Sequence, residues 1–170
     1  MRLVVRPNER NQHQHANLLI LPEEVQKIAA VRHWLVHRND ELGNKIVMMD
    51  DDMVFAARRT DDPTKFRHME DEDYDTMFEA LRDALGEYAH VGISHREGAN
   101  RNTNKFVECS RQMRVLGYQR NILRAEAVTG RTKVMEDFDV TLQLLRRGMP
   151  NRILNSWVHN QGGSDTRGTD

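Results

Sequence analysis

Apolar residues along this chain fall into short runs with two different periods, separated by long charged stretches. "RLVVRP" reads as a short strand ended by Pro7, and "ANLLILP" as a second apolar run stopped by Pro22. In "EEVQKIAAVRHWLVHRN" the residues Val25, Ile28, Ala29, Leu35 and Val36 recur at helical spacing, and glutamates occupy the first turn. "KIVMM" is a continuous apolar run, the pattern of a strand buried on both faces. Strand, helix, strand in that order predicts an α/β fold with a largely parallel sheet.

The polar, acid-rich segment "RRTDDPTKFRHMEDEDYD" predicts an exposed loop. "YDTMFEALRDALGEYAHVGIS" predicts an amphipathic helix with Phe78, Leu81 and Leu85 on one stripe, leaving through the strand "HVGIS". "HREGANRNTN" reads as a polar loop. "EDFDVTLQLLRRG" predicts a second helix, with Phe138, Leu142 and Leu145 on its stripe and Gly148 as its C-cap. "RILNSWVHN" predicts a last strand before the tail "QGGSDTRGTD". The chain carries no internal repeat.

With 170 residues, the chain suits a single domain over 1–170 with a real core. Hydrophobic residues at 38% and charged residues at 30% describe a globular protein rather than a disordered one. No apolar run approaches the roughly 20 residues of a membrane span, and the N-terminus lacks the apolar core of a secretory signal. Cys109 is the single cysteine, which excludes an internal disulfide and a cysteine-based zinc site. A reducing, cytoplasmic setting is expected.

The net charge of −1 hides a division along the chain. Residues 50–87 hold thirteen acidic and five basic side chains, and residues 88–133 hold nine basic and three acidic ones. A cation-holding region beside a polyanion-binding surface explains this division; differing solvated faces explain it equally well.

The chemistry gathers where "KIVMM" runs into Asp50, Asp51 and Asp52. Adjacent carboxylates repel, so the cluster needs compensation. In an extended chain Asp50 and Asp52 point to the same side and are fit to hold a hard divalent cation; an acidic turn is the bland reading. Glu136, Asp137 and Asp139 open the later helix. The helix macrodipole alone accounts for them, and a rigidly held general base does so too. His159 ends the last apolar strand, where an imidazole is either structural or a metal ligand.

An apolar strand ending in Asp-x-Asp, a glycine-bearing loop, Glu-Asp opening a helix and a late histidine, in that order, resemble the GT-A glycosyltransferases. More narrowly, "VVRPNE", "LPEEVQKIAAVRHWLV", "VMMDDDMVFAARR", "VGISHREGANR", "MEDFDVTLQLLRRG" and "HNQGGSDTR" resemble the TET/JBP-associated glycosyltransferases of phages. The resemblance implies a GT-A-like, Rossmann-like mixed but mostly parallel sheet flanked by helices. It implies a nucleotide-sugar donor, a divalent metal (Mn2+ or Mg2+) and a hydroxyl acceptor, namely a hydroxymethylated pyrimidine in phage DNA modified in the bacterial host cell. By position, Asp52 becomes a metal ligand, Asp50 contacts metal or ribose, and His159 completes the metal site. Asp137 becomes the catalytic base, with Glu136 and Asp139 beside it. Arg6, Arg32 and Arg167 become phosphate or donor contacts. The basic stretch from Arg111 to Lys133, opposed only by Glu126, then becomes a surface for DNA phosphates.

GT-A chains usually begin with a strand and loop upstream of anything like "LVVRPNE", so the expectation here is a domain that starts at the second strand. Two rival readings stand beside the main one. "MMDDDMV" also fits the Asp-x-Asp-x-Val signature of haloacid-dehalogenase-like phosphohydrolases, which would use Asp50 and Asp52, although no convincing lysine motif follows. The other rival is a catalytically inactive binding module on a glycosyltransferase fold.

Overall fold

The computed structural model describes residues 2–13, 17–37 and 42–161. The chain starts with β1 (Leu3–Val5), a 3-10 helix (Pro7–Gln12), β2 (Leu18–Ile20) and α1 (Ile28–His37). It continues through β3 (Lys45–Met49), β4 (Met53–Arg58), β5 (Phe66–His68), α2 (Asp71–Glu87) and β6 (His90–His95). Then come β7 (Phe106–Glu108), β8 (Val115–Gln119), α3 (Arg120–Glu126), α4 (Glu136–Arg146) and β9 (Asn151–Gln161). Mixed α/β architecture with helices flanking a multistranded sheet is as expected.

Strands β1 and β2 pair in parallel as a small separate sheet. The main sheet runs β3-β8-β6-β9-β4-β5, with β7 added to β9. Within it only β6 and β9 are parallel; the other pairings are antiparallel. Parallel pairing was expected to dominate and does not. The cause is that β8 enters between β3 and β6 running opposite to both. A central antiparallel strand reverses two neighbours at once, and the glycine within "VLGYQ" hides the strand in the sequence pattern.

"KIVMM" forms an edge strand whose two faces are nevertheless both used. Ile46 and Met48 pack on a core built by Val36 of α1, Leu116 and Tyr118 of β8, Leu123 of α3, and Val140 and Leu144 of α4. Val47 and Met49 pack on the opposite core, where Met77, Leu81 and Leu85 of α2 meet Val91, Ile93 and Val115. This alternation is why the run had to be apolar throughout. Three helices therefore cover one face and α2 covers the other.

Element boundaries move for local reasons. Helix α1 begins at Ile28, so the glutamates expected in its first turn lie before it, and Ile28 itself is exposed. The charged segment expected to be one loop contains β5, and α2 starts at Asp71 behind a Glu70–Asp73 capping box. In α4 the buried stripe is Val140, Thr141 and Leu144, whereas Leu142 points out at 43% exposure. The helix is thus rotated from the expected face, because Glu136 turns inward at its first residue. Gly148 does end it in a left-handed conformation (φ 74°), donating to Leu145 O while Met149 donates to Leu144 O.

Strand β9 is bent by a bulge. Its register with β6 jumps from Ile93↔Leu154 to Ser94↔Val158. The bulge is held by side chains: Asn155 donates to Asn104 O, and Arg58 Nε donates to Asn155 O at 2.9 Å. Beyond it, β9 pairs with β4 from Ala57↔Trp157 to Met53↔Gln161, which brings its end to the aspartate turn.

Candidate active site

The aspartates occupy the short connection from β3 to β4, so the chain there is a turn rather than extended. Strand alternation therefore does not govern where Asp50 and Asp52 point, and each takes its own partner. Asp50 Oδ1 accepts from Arg32 Nη2 at 3.0 Å. Asp52 Oδ2 accepts from Gln161 Nε2 at 2.6 Å. Asp51 is exposed.

Arg32 does more than hold Asp50. Its Nη1 also pairs with Glu136 Oε1. The guanidinium and the Glu136 carboxylate are both nearly buried, their side chains 12% and 11% exposed. Three sequence-predicted residues from three elements, α1, the β3–β4 turn and the start of α4, thus meet at one cation. Compensation for the aspartate cluster comes partly from this arginine, and a bidentate guanidinium is well suited to it.

Asp137 follows Glu136 in the first turn of α4. Its Oδ1 accepts from the Phe138 amide at 2.8 Å. It lines a slot of about 20 Å3 together with Arg32, Met48, Tyr118 and Glu136. That volume holds about one water. Asp139 lies elsewhere on the turn: it is clasped by Arg131, whose Nε donates to Oδ2 at 2.7 Å, and by Gln143 Nε2 at 2.9 Å. The Arg131 bond holds its carboxyl below the usual carboxylate range.

His159 sits on β9 opposite Phe55 of β4 and His95 of β6. It is 1% exposed, and the His95 ring meets it edge-on at 5.3 Å. Burial, with His95 and Arg114 nearby, pushes its pKa down to about 4, so the imidazole is neutral at pH 7. Neither ring nitrogen has a hydrogen-bond partner among the described residues. Asp50, Asp52 and His159 are not gathered as a cage: no three His, Cys, Asp or Glu side chains among the described residues form a metal-binding group. By chemistry alone, a neutral imidazole and an exposed carboxylate are donor types that fit a divalent cation.

The remaining arginines distribute differently from the expected surface. Arg6 starts the 3-10 helix, exposed, with Nη2 reaching Gln26 O at 3.4 Å. Arg167 lies outside the described residues. Within the basic stretch, Arg120 is 4% exposed and donates to Val36 O and Leu42 O, and Arg124 donates to Val36 O. Arg131 is spent on Asp139. The stretch is therefore not one cationic face. Arg114 carries no individual signal in the sequence: it sits just before β8 with a left-handed backbone (φ 64°) and donates to Gln161 Oε1 at 2.8 Å.

A second depression, about 630 Å3, opens beside the slot and shares Ala29, Thr129 and Gly130 with it. Lys27, Trp34 and Lys133 line it. Val134 and Met135, exposed at 73% and 57%, follow Lys133 directly.

No helix among the described residues is long and apolar enough to cross a membrane. A family model described as TET-Associated Glycosyltransferase matches residues 3–162. No curated protein matches the chain.

Proposed function

Because the chain belongs to the TET-associated glycosyltransferase family, we propose that it moves a sugar from a nucleotide-sugar to a hydroxymethyl group on a pyrimidine of DNA, at the junction of the aspartate turn and the start of α4. The observation that carries this reading is the Arg32 clasp, which brings Asp50 and Glu136 into one half-enclosed place. Asp137, the proposed proton acceptor, follows Glu136 directly, so the clasp ties the base-bearing turn to the donor anchor, as a single transfer step requires.

In the proposed mechanism Asp52 and His159 would hold a divalent cation, Mn2+ or Mg2+, whose charge would offset that of the departing diphosphate. Asp50 orients the donor from the neighbouring position, and Arg32 keeps its carboxylate aimed. Asp137 takes the proton from the acceptor hydroxyl as the hydroxyl oxygen attacks the anomeric carbon. Glu136 is the positioning residue: paired with Arg32, it fixes the first turn of α4 and with it the base. The slot at Asp137 admits about one water, so acceptor entry requires the Arg32 clasp or the 129–135 segment to shift.

The larger depression supports a DNA acceptor. Lys27 and Lys133 offer cations for phosphates, and Trp34 offers a surface for an unstacked base. Reaching a base within a duplex costs a few kcal/mol of unstacking, and the exposed Val134 and Met135 are apolar groups suited to offset it.

The test is incubation with hydroxymethylated DNA, Mn2+ and a panel of nucleotide-sugars, followed by mass spectrometry of the nucleosides. A gain of one sugar per modified base is expected. Absence of any adduct across the panel, with phosphate released from simple esters instead, would overturn the reading in favour of a phosphohydrolase.

A further inference from the structure

We infer that Arg114 is a diphosphate-holding residue of the donor site, a role that rests on the glycosyltransferase reading above and that lies outside the residues so far assigned. Three independent features lead there. The first is placement. Met49 and Val115 are the last paired residues of the β3·β8 ladder, so Asp50 and Arg114 leave that ladder side by side. Arg114 therefore stands at the same edge as the aspartate turn, although it lies within an unremarkable "RQMR" in the sequence.

The second is how its fork is used. Nη2 donates to Gln161 Oε1 at 2.8 Å, and Gln161 Nε2 donates in turn to Asp52 Oδ2 at 2.6 Å. The side chain is thus held against Asp52 through one amide, with no carboxylate in ion-pair contact among the described residues. Nη1 is buried and has no hydrogen-bond partner there. A desolvated guanidinium N–H left unpaired is costly, and an anionic oxygen is the partner that best repays it. Arg32, by contrast, has both Nη atoms on carboxylates, so it has less to offer a phosphate.

The third is the company it keeps. His159, 1% exposed, carries two more unpartnered polar atoms on the same face of β9 as Gln161, two residues away. Buried, unsatisfied polar atoms beside a carboxylate turn describe a place suited to a ligand rich in charged oxygens. Holding a phosphoryl oxygen at Nη1 would satisfy the guanidinium. It would also set the leaving group next to Asp52, one of the residues that would hold the cation. The left-handed backbone at Arg114, unusual outside glycine, aims the side chain there.

Inorganic pyrophosphate is the probe, titrated calorimetrically into the wild-type protein with and without Mn2+. Arg114→Gln is expected to weaken pyrophosphate binding at least about tenfold, in line with the loss of one charge-assisted bond. Arg114→Lys, which keeps the charge and loses the fork, should fall between. Arg114→Asn tolerates the left-handed backbone better than glutamine and separates loss of charge from backbone strain; it should match Arg114→Gln. Thermal midpoints without ligand identify any variant that has lost its fold. Pyrophosphate affinity unchanged in both neutral variants, or no pyrophosphate binding by the wild type, overturns the inference. Sugar transfer by the wild type in the DNA assay is read separately. Transfer with pyrophosphate affinity indifferent to Arg114 rejects this residue alone, whereas Arg114-dependent binding without any transfer rejects the glycosyltransfer reading and leaves the anion site standing.

Discussion

Arg32 of α1 is paired with Glu136 of α4, 104 positions further along the chain, and the same guanidinium reaches Asp50 at 3.0 Å. One cation thereby ties the helix before the aspartate strand to the helix that carries the proposed base. Its removal leaves Glu136, 8% exposed, as an uncompensated charge. Arg32→Ala is expected to destabilise the protein by about 3 kcal/mol, the cost typical of breaking a buried pair from one side. Urea unfolding measures this. Arg32→Lys should recover only part of it, since an ammonium cannot grip two carboxylates as a fork does.

Asp137 and Asp139 lie two residues apart in the same first turn and should behave in opposite ways. Asp137→Asn is expected to lower transfer by about 10² to 10⁴ while leaving nucleotide-sugar binding intact, as loss of a general base does. Asp139 is occupied by Arg131 and Gln143. Asp139→Asn should change transfer little and cost about 1 kcal/mol or less, because the Arg131 side of the pair is 53% exposed. Single-turnover rates and donor affinities for the two variants decide it; retained transfer in Asp137→Asn would reject the base assignment.

His90 predicts an acid limb of stability. It is 1% exposed, stacked on Tyr118, with Nδ1 at 3.0 Å from Gly117 O and Nε2 at 3.2 Å from Thr141 Oγ1. Burial pushes its pKa from 6.5 down to about 4. Between those values the unfolded chain binds a proton that the folded chain refuses. The stabilisation is complete above pH 6.5 and is lost as pH falls toward 4, by up to about 3 kcal/mol. Denaturant midpoints measured across that range should slope downward with acid, and His90→Gln should reduce the slope to the part that His159 contributes, even though it lowers stability at pH 7.

Gly92 of β6 is fixed by a side chain lying on it. A Cβ there would stand 2.1 Å from the Gln112 amide, which is buried and donates to Ile93 O, Met113 O and Val115 O. Gly92→Ala must displace that amide from three carbonyls, and a loss of about 1–3 kcal/mol is expected from overpacking alone. Gln112 lies two residues before Arg114, so the same variant should also weaken pyrophosphate binding. A thermal shift without any change in pyrophosphate affinity would separate the two effects.

Much of the fold was legible because burial imposes a period. The four apolar residues of β3 faced two cores, and α2 presented Leu81 and Leu85 where the stripe predicted. The failures share a cause. Residues 105–135 carry short elements embedded among arginines, and β8, the strand on which the sheet order turns, has a glycine at its centre that Val91 approaches closely. Composition there reads as a polar, basic surface, whereas Arg120 and Arg124 cap carbonyls and Arg131 pairs with Asp139.

By itself the sequence determined which residue types were available and in what order: an apolar strand into aspartates, an acidic helix start and a late histidine on an apolar strand. That ordered set sufficed for the family, because motif order survives without knowledge of contacts. Tertiary structure alone decided the partners. Arg32 joining Asp50 to Glu136 and Arg114 reaching Asp52 through Gln161 are pairings between segments far apart in the chain. The β3·β8 ladder sets Arg114 beside the aspartate turn, and the β4·β9 pairing brings Gln161 to the same edge. A charge in a sequence has no partner until the sheet order sets its neighbours.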